Sequence, residues 1–260
     1  MAEPSIAVER TGTIATVIID RPARLNAMTK GLWRALGETI DTLSADDALR
    51  CIVLRGAGEK AFSPGNDIGE FSTDRANVEQ AHAYGELMHR TLEALKACRH
   101  PLVAMIHGIC VGGGLEIAAM CDLRICGESS RFGVPIKNLG LVMAHAELEG
   151  LVRLAGPAVA LEILLEGRIF DAKEALAKGL VTRVVLDSEV ASHTYETANR
   201  IAEGAPLVAR WHKQFVKRVM DPAPLTPAER DEGFACFGTE DFRTGYQAFL
   251  DKVKPEFKGR

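Results

Sequence analysis

The hydrophobic positions of this chain fall into two patterns that alternate through its first half. Short, largely apolar runs are typical of buried strands and occupy residues 6–8, 14–19, 51–54, 102–106 and 123–126. Between them, apolar residues recur every three or four positions and predict helices over residues 28–43, 78–98 and 114–120. Because strands that alternate with helices pair mostly in parallel, this half is predicted to form an α/β structure.

The pattern changes after about Ala144. Helical spacing dominates from there to the last residue, with breaks at Gly156-Pro157, Ala205-Pro206 and Pro222–Pro227 and one strand-like run at residues 181–185. We expect these helices to cover the core or to exchange contacts with neighbouring subunits.

Two loops, Ser63–Asp67 and His107–Glu116, lie between a strand-like run and a helix-like segment. In the first loop Pro64-Gly65 suits the centre of a type II turn, which would hold the N–H of Asn66 in a fixed direction. Amide donors at such junctions suit a carbonyl oxygen that becomes negative during a reaction, as in an oxyanion hole. Glu116, at the start of the predicted helix, adds a candidate acid/base.

Each of these features also has a purely structural interpretation. Asn66 or Asp67 could cap the next helix, the glycines at 112–114 could serve only tight strand-to-helix packing, and Glu116 stands where a capping-box glutamate would. A dinucleotide-binding loop is excluded because Ile117 occupies a position that requires a small residue. The chain also has no P-loop sequence and no nucleophile elbow.

The composition narrows the choice of partners. The chain has 260 residues, 47% of them hydrophobic, which is enough for one large core. A formal charge of −4 argues against a nucleic-acid partner, so an anionic ligand would need a local basic patch. No apolar run approaches the ~20 residues needed to span a bilayer, and no membrane partner is expected.

The first ten residues resemble neither a signal peptide nor a transit peptide. The six cysteines are scattered, without metal-ligand spacing. We therefore expect reduced thiols, no metal site and a cytoplasmic location.

Further motifs follow one another in order along nearly the whole chain. They are Asp20-Arg21-Pro22, Asn26-Ala27-Met28, Ala61 to Ile68, His107-Gly108, Gly112 to Glu116, Cys121-Asp122, Phe132-Gly133-x-Pro135, Gly140, Ala248 to Lys252 and Phe257 to Arg260. This ordered set resembles the enoyl-CoA hydratase/isomerase (crotonase) family.

The resemblance implies an α/β fold with two regions. They are a crotonase-like spiral core of ββα turns over residues 1–195 and a helical C-terminal trimerisation region over residues 196–260. The family resemblance also implies a homotrimer or a hexamer built as a dimer of trimers.

The resemblance also assigns roles to residues. The N–H groups of Asn66 and Gly113 would hold the thioester oxygen of an acyl-CoA, with Glu116 as acid/base. Coenzyme A, as part of the substrate and not as a separate cofactor, would run along residues 23–25 and 60–62. The residues implied to bind it are Arg24, Lys60, Ala61, Phe62, Asp67 and Ile68, with Arg24 and Lys60 as candidate phosphate ligands or, equally, as ordinary surface charges.

The chain departs from the family pattern at two positions. The resemblance implies two glutamates in a hydratase, one to activate water, which Glu116 matches, and one to protonate the α-carbon. The second should follow the proline of the F-G-x-P motif, where this chain has Ile136, which cannot transfer a proton. Some family isomerases carry a base at the position of Ala144. The adjacent His145 could move protons near neutral pH, or it could be a surface residue at the start of a helix. Glu147 and Glu149 are the other titratable neighbours.

These observations predict an enzyme that acts on a CoA thioester, with hydration of a 2-enoyl-CoA as the leading reaction. A double-bond shift is the alternative, because one base is sufficient to take a proton and return it elsewhere. A non-catalytic acyl-CoA-binding homologue is a second class, and RNA binding a weaker third that the acidic charge disfavours. Apolar candidates for the acyl pocket favour an aliphatic or alicyclic acyl group: Phe71, Phe132, Ile136 and Met143.

Overall fold

Two β-sheets organise the chain, seen in a computed structural model that describes residues 4–260. The ten strands are β1 (Ser5–Thr11), β2 (Ile14–Asp20), β3 (Cys51–Gly56), β4 (Ala61–Ser63), β5 (Leu102–Ile106), β6 (Ile109–Val111), β7 (Leu123–Gly127), β8 (Arg131–Gly133), β9 (Phe170–Asp171) and β10 (Arg183–Val185). Six of them form a sheet in the order β1-β2-β3-β5-β7-β10, and the other four form a second sheet in the order β4-β6-β8-β9.

Ten α-helices within residues 4–260 lie around and beyond these sheets. They are α1 (Lys30–Ala45), α2 (Phe71–Asp74), α3 (Val78–Ala97), α4 (Gly113–Met120), α5 (His145–Glu166), α6 (Ala172–Ala177), α7 (Val190–Glu203), α8 (Pro206–Val219), α9 (Pro227–Asp231) and α10 (Glu240–Asp251). Helix α5 is kinked at Gly156, whose φ of 77° is not helical and which precedes Pro157. None of these helices is long and apolar enough to cross a membrane.

The larger sheet is parallel except at its β1 edge, where β1 and β2 form an antiparallel hairpin. Both of its faces are covered, because alternate strand residues point to opposite sides. Ile52 and Leu54 of β3 belong to the main core, whereas Val53 of the same strand packs with Val190 and Ala198 of α7. This double burial explains why these strands are continuous apolar runs.

Helices α1 and α3 pack against each other over the main face of the sheet. Trp33 and Leu36 of α1 and Leu92 of α3 are buried there. The hydroxyl of Thr91 in α3 donates a hydrogen bond to the carbonyl oxygen of Trp33, 2.8 Å away. This hydrogen bond connects the two helices directly at Trp33.

The predicted strands and helices of the first half are confirmed, with ends displaced by a few residues. The hydrophobic pattern does not predict the second sheet, because its strands have only two or three residues. Short strands of this kind form through pairing with distant segments rather than through local periodicity.

The boundary expected between residues 195 and 196 falls inside α7. Val190 and Ala198, on either side of it, both pack on the larger sheet. Helix α7 thus packs on the sheet on both sides of the expected boundary, and the division into two regions stays a prediction. The trimerisation role of the C-terminal region stays a prediction.

The α1–α3 layer makes a first prediction. Leu36→Ala deletes a fully buried side chain, so we expect the free energy of unfolding to fall by about 2–5 kcal/mol, measured by urea denaturation. Leu165→Ala, at a largely exposed leucine of α5, is the matched control and is expected to change it by less than about 0.5 kcal/mol. Equal losses in the two variants would contradict this account of the core.

Candidate active site

The two loops singled out in the sequence lie side by side in the structure. Strands β4 and β6 pair in parallel, and this brings the loop after β4 against the start of α4. The contact is so close that a Cβ atom on Gly114 would lie 2.1 Å from the carbonyl oxygen of Ser63. Only glycine permits this approach of the helix to the loop.

The N–H groups of Asn66 and Gly113 lie close together at this contact. Gly65 adopts a φ of +94°, and a Cβ atom placed on it would lie 2.7 Å from the nitrogen of Gly113. A Cβ atom on Gly113 would lie 3.7 Å from the nitrogen of Asn66. Within residues 4–260 neither N–H donates a hydrogen bond. The structure therefore brings two free amide donors together.

The side chain of Asn66 is fixed away from these donors. Its Oδ1 accepts a hydrogen bond of 2.6 Å from Nε1 of Trp33, and its Nδ2 lies 3.6 Å from Sδ of Met88. The cap of the next helical turn is formed by Asp67, whose Oδ1 accepts from the N–H of Gly69. The expected cap and the free N–H of Asn66 thus coexist, because they use different groups.

A cavity of about 450 Å³ opens over the two amides. Its lining includes Asn66, Gly113 and Ile136, together with five charged residues: Arg24, Asp67, Arg75, Glu116 and Glu147. The Arg75 guanidinium stacks on the rings of Phe71 and Tyr84, 4.8 Å and 5.0 Å from their centroids. Apolar walls with a few convergent polar groups are typical of a small-molecule site.

Glu116 is the most perturbed acid in this cavity. Its residue is 6% exposed, and its Oε2 is buried without a hydrogen-bond partner in the described part of the chain. Burial and, as a smaller effect, the negative charge of Glu147 together raise the pKa of Glu116 to about 8, and Arg75 opposes both effects. At neutral pH the carboxyl is therefore mostly protonated. It accepts no N–H from the start of α4, so the capping-box interpretation of Glu116 does not describe this structure.

The structure does not bring His145 to the cavity. His145 is the exposed first residue of α5 and is absent from the cavity lining. His145 therefore lies outside the cavity lining, whereas Ile136 forms part of the wall, where the family pattern would place a second glutamate.

Glu147 reaches the cavity instead; the sequence analysis names it as a titratable neighbour of Ala144 but assigns it no role. Its side chain is 11% exposed, and Oε1 lies 3.2 Å from Nε2 of His89 in α3. Its Oε2 accepts a hydrogen bond of 2.9 Å from the N–H of Ala144. The only signal in the sequence is its position three residues after Ala144, where a helix-capping glutamate commonly stands.

The residues implied to bind coenzyme A divide into three groups. Arg24, Asp67 and Ile68 line the main cavity, while Lys60 and Ala61 line a separate cavity of about 230 Å³. The side chain of Phe62 is 1% exposed and lies in the core. A hydrogen-bonded ion pair with Arg21, 2.7 Å long, lowers the pKa of Asp67.

Comparison with known proteins adds to this geometry. The family model described as enoyl-CoA hydratase/isomerase matches residues 9–260. A short-chain-enoyl-CoA hydratase of Clostridium acetobutylicum is 34% identical over 259 residues, which cover 98% of both chains. A crotonyl-CoA hydratase of Syntrophomonas wolfei is 31% identical over 259 residues, which cover 99% of both chains.

Solved structures agree with these relatives. An enoyl-CoA hydratase/carnithine racemase from Magnetospirillum magneticum has a TM-score of 0.97 and 50% identity, covering 100% of this chain and 97% of its own. The chain belongs to the enoyl-CoA hydratase/isomerase family. An enoyl-CoA hydratase from Bacillus anthracis, with a TM-score of 0.92 and 30% identity, covers 98% of this chain and 100% of its own. The crotonase fold expected from the motifs is confirmed, and the chain is an enzyme of the hydratase/isomerase family.

The hydrogen bond from Trp33 to Asn66 makes a second prediction. Trp33→Phe removes the donor that fixes Asn66, so we expect the first loop to move and the kcat of this family enzyme to fall roughly 10-fold to 100-fold. Trp211→Phe, at the other tryptophan of the chain, is the matched control. Steady-state kinetics with an enoyl-CoA would measure both variants, and an unchanged kcat in Trp33→Phe would show that the hydrogen bond does not position the loop.

Glu116 makes a third prediction, on stability. The unfolded chain loses the Glu116 proton near pH 4.5, whereas the folded protein holds it to about pH 8. The free energy of unfolding therefore falls as pH rises through this window, and Glu116→Gln removes that dependence. We expect the Gln variant to be more stable than the wild type, with a difference that grows from about pH 4.5 to about pH 8. Urea denaturation across this range would measure it, and a constant difference would contradict the raised pKa.

Proposed function

We propose that this enzyme hydrates a 2-enoyl-CoA. The observation that carries the proposal is that two amides, those of Asn66 and Gly113, which donate no hydrogen bond within residues 4–260, lie in one cavity with the buried carboxyl of Glu116. The amides would hold the thioester oxygen of the substrate. One such donor typically contributes ~10²–10³ in rate.

Water would add to the β-carbon of the enoyl group, and the double-bond electrons would move onto the thioester oxygen as an enolate. Glu116, protonated near neutral pH, is suited to give its proton to the α-carbon as the enolate collapses. This differs from the water-activating role that the family resemblance implies for Glu116. The water must lose a proton in the same reaction, and Ile136 cannot accept it.

A double-bond isomerase is the second candidate, and Ile136 is the observation that favours it. A shift of the double bond moves one proton from one carbon to another, which a single carboxylate can do. The ionised form of Glu116 would be a strong base for this step because its pKa is raised to about 8. The names of the curated relatives favour hydration.

Coenzyme A would enter as part of the substrate, and we propose no further cofactor. Arg24 at the edge of the main cavity and Lys60 at the neighbouring one are exposed and form no ion pair in the described part of the chain. The chain is acidic overall, so the local positive charges of Arg24 and Lys60 would be needed to attract the phosphates of coenzyme A.

A homotrimer, or a dimer of trimers, agrees with the surface of the C-terminal region. Helices α8 and α10 and the segments beside them expose large apolar side chains: Val216, Val219, Met220, Phe234, Phe237, Tyr246, Phe249, Leu250 and Val253. A run of exposed apolar side chains of this kind is typical of a protein interface. The cytoplasmic location also stays a prediction.

The proposal makes a fourth prediction. Wild-type protein incubated with crotonyl-CoA in D₂O should gain the mass of added water, and Glu116→Gln should reduce the rate by ~10²–10⁴. A parallel incubation with a 3-enoyl-CoA detects isomerisation as a double-bond shift without added water. Mass spectrometry of the thioesters measures both reactions.

The outcomes separate the candidates. A double-bond shift without hydration would replace the hydratase by the isomerase, and full activity in Glu116→Gln would remove Glu116 from the mechanism. His145→Ala is measured in the same experiment. A large fall in its rate would show that His145 takes part in the reaction despite its exposed position.

A further inference from the structure

Two carboxylates face the cavity from different helices. Glu116 comes from the first turn of α4 and Glu147 from the first turn of α5, and both line the same space. Glu147 is mostly buried, although it belongs to a helix end that is otherwise exposed at His145 and Ala146. A second acid therefore stands beside Glu116 at a position that the motifs of the family do not mark.

The contacts of Glu147 exceed what a helix cap requires. Capping uses one oxygen, Oε2, which accepts the N–H of Ala144. The other oxygen lies 3.2 Å from the His89 ring on α3, across the cavity wall. Glu149, two residues further along α5, shows the ordinary alternative, because its half-exposed carboxylate pairs with Lys96 away from the cavity.

We propose that Glu147, oriented by His89, is the second acid/base group of this enzyme, which the chain lacks at Ile136. The inference rests on the proposed hydratase function and names the group that accepts the proton of water. His89 is a positioning residue in this scheme, since it acts through Glu147.

The proposed reaction starts with one proton shared out between the two carboxyl groups: Glu116 is protonated and Glu147 is ionised. Glu147 takes a proton from water while the water oxygen bonds to the β-carbon, and Glu116 gives its proton to the α-carbon. The product carries both hydrogens and the oxygen of one water molecule, and nothing is oxidised or reduced. Glu116 is then ionised and Glu147 protonated, and transfer of that proton back to Glu116 restores the starting state.

The charges around the pair agree with this division of roles. Glu116 is faced by Glu147 from α5 and by Arg75 from the segment between α2 and α3, and Glu147 is faced by His89 from α3. The negative charge of Glu147 helps to hold the proton on Glu116. Two acids in one cavity with different environments are the usual arrangement for assigning one as acid and the other as base.

Glu147→Gln tests the inference, as the fifth prediction. The amide oxygen of glutamine can still accept the N–H of Ala144, so the helix start is retained while the base is lost. We expect the kcat for crotonyl-CoA hydration to fall by ~10²–10⁴ with a small change in KM. Glu149→Gln, on the same helix but paired outside the cavity, is the matched control and should keep wild-type kinetics.

The pH dependence is a readout that a merely structural role would not change. Removal of the negative charge of Glu147 should lower the pKa of Glu116, because that charge helps to raise it to about 8. The alkaline limb of the rate profile should therefore move to lower pH in Glu147→Gln. NMR titration of ¹³C-labelled glutamate carboxyls gives the same pKa without depending on activity. His89→Ala should lower kcat in the same direction by a smaller factor, and His89→Gln, which can still donate to Oε1, should restore part of it.

The results distinguish this inference from the proposed function. If Glu116→Gln abolishes hydration while Glu147→Gln keeps the wild-type kcat and pH profile, Glu147 is not the second group and the hydratase proposal stands. A wild type that turns over neither a 2-enoyl-CoA nor a 3-enoyl-CoA overturns both. Loss in Glu147→Gln with an unmoved Glu116 pKa would also overturn the inference, since it would indicate damage away from the pair.

Discussion

The close approach of two backbone segments is the constraint on which the whole site depends. The loop after β4 touches the start of α4 through Gly65, Gly113 and Gly114, with no room for a side chain between Ser63 and Gly114. The N–H of Gly113 has no helical carbonyl preceding it to accept its hydrogen bond, and the N–H of Asn66, after the Pro64-Gly65 pair, donates none within residues 4–260 either. These two N–H groups therefore lie side by side, and both can donate a hydrogen bond to one oxygen that becomes negative during the reaction.

The hydrophobic core holds this contact in place. Trp33 packs in the core, donates to Asn66 from its indole, and its backbone carbonyl is bound by Thr91 of α3. The position of the first loop is therefore coupled to the packing of α1 against α3. A site supported by buried side chains in this way retains its geometry without help from the ligand.

The buried acidic groups in the cavity lower the stability of the fold but are suited to proton transfer. A buried carboxyl with an unpartnered oxygen costs folding free energy, and a second carboxylate nearby increases that cost. The positive charge of Arg75, which stacks on the rings of Phe71 and Tyr84, offsets part of this cost. An arrangement that weakens the fold at one point while tuning a proton carrier is typical of an active site.

The sequence by itself determined the main strands and helices, the two loops, Glu116 and the family, because periodicity, turn residues and ordered motifs are local features of the chain. It did not determine which side chains face the cavity. Lys60 and Ala61 line a neighbouring cavity, Phe62 lies in the core, and His145 points to solvent while Glu147 reaches Glu116 and His89. Only the tertiary structure decided this, because the direction of a side chain on α5 depends on how that helix packs on α3 and α4, which residues far apart in sequence set together.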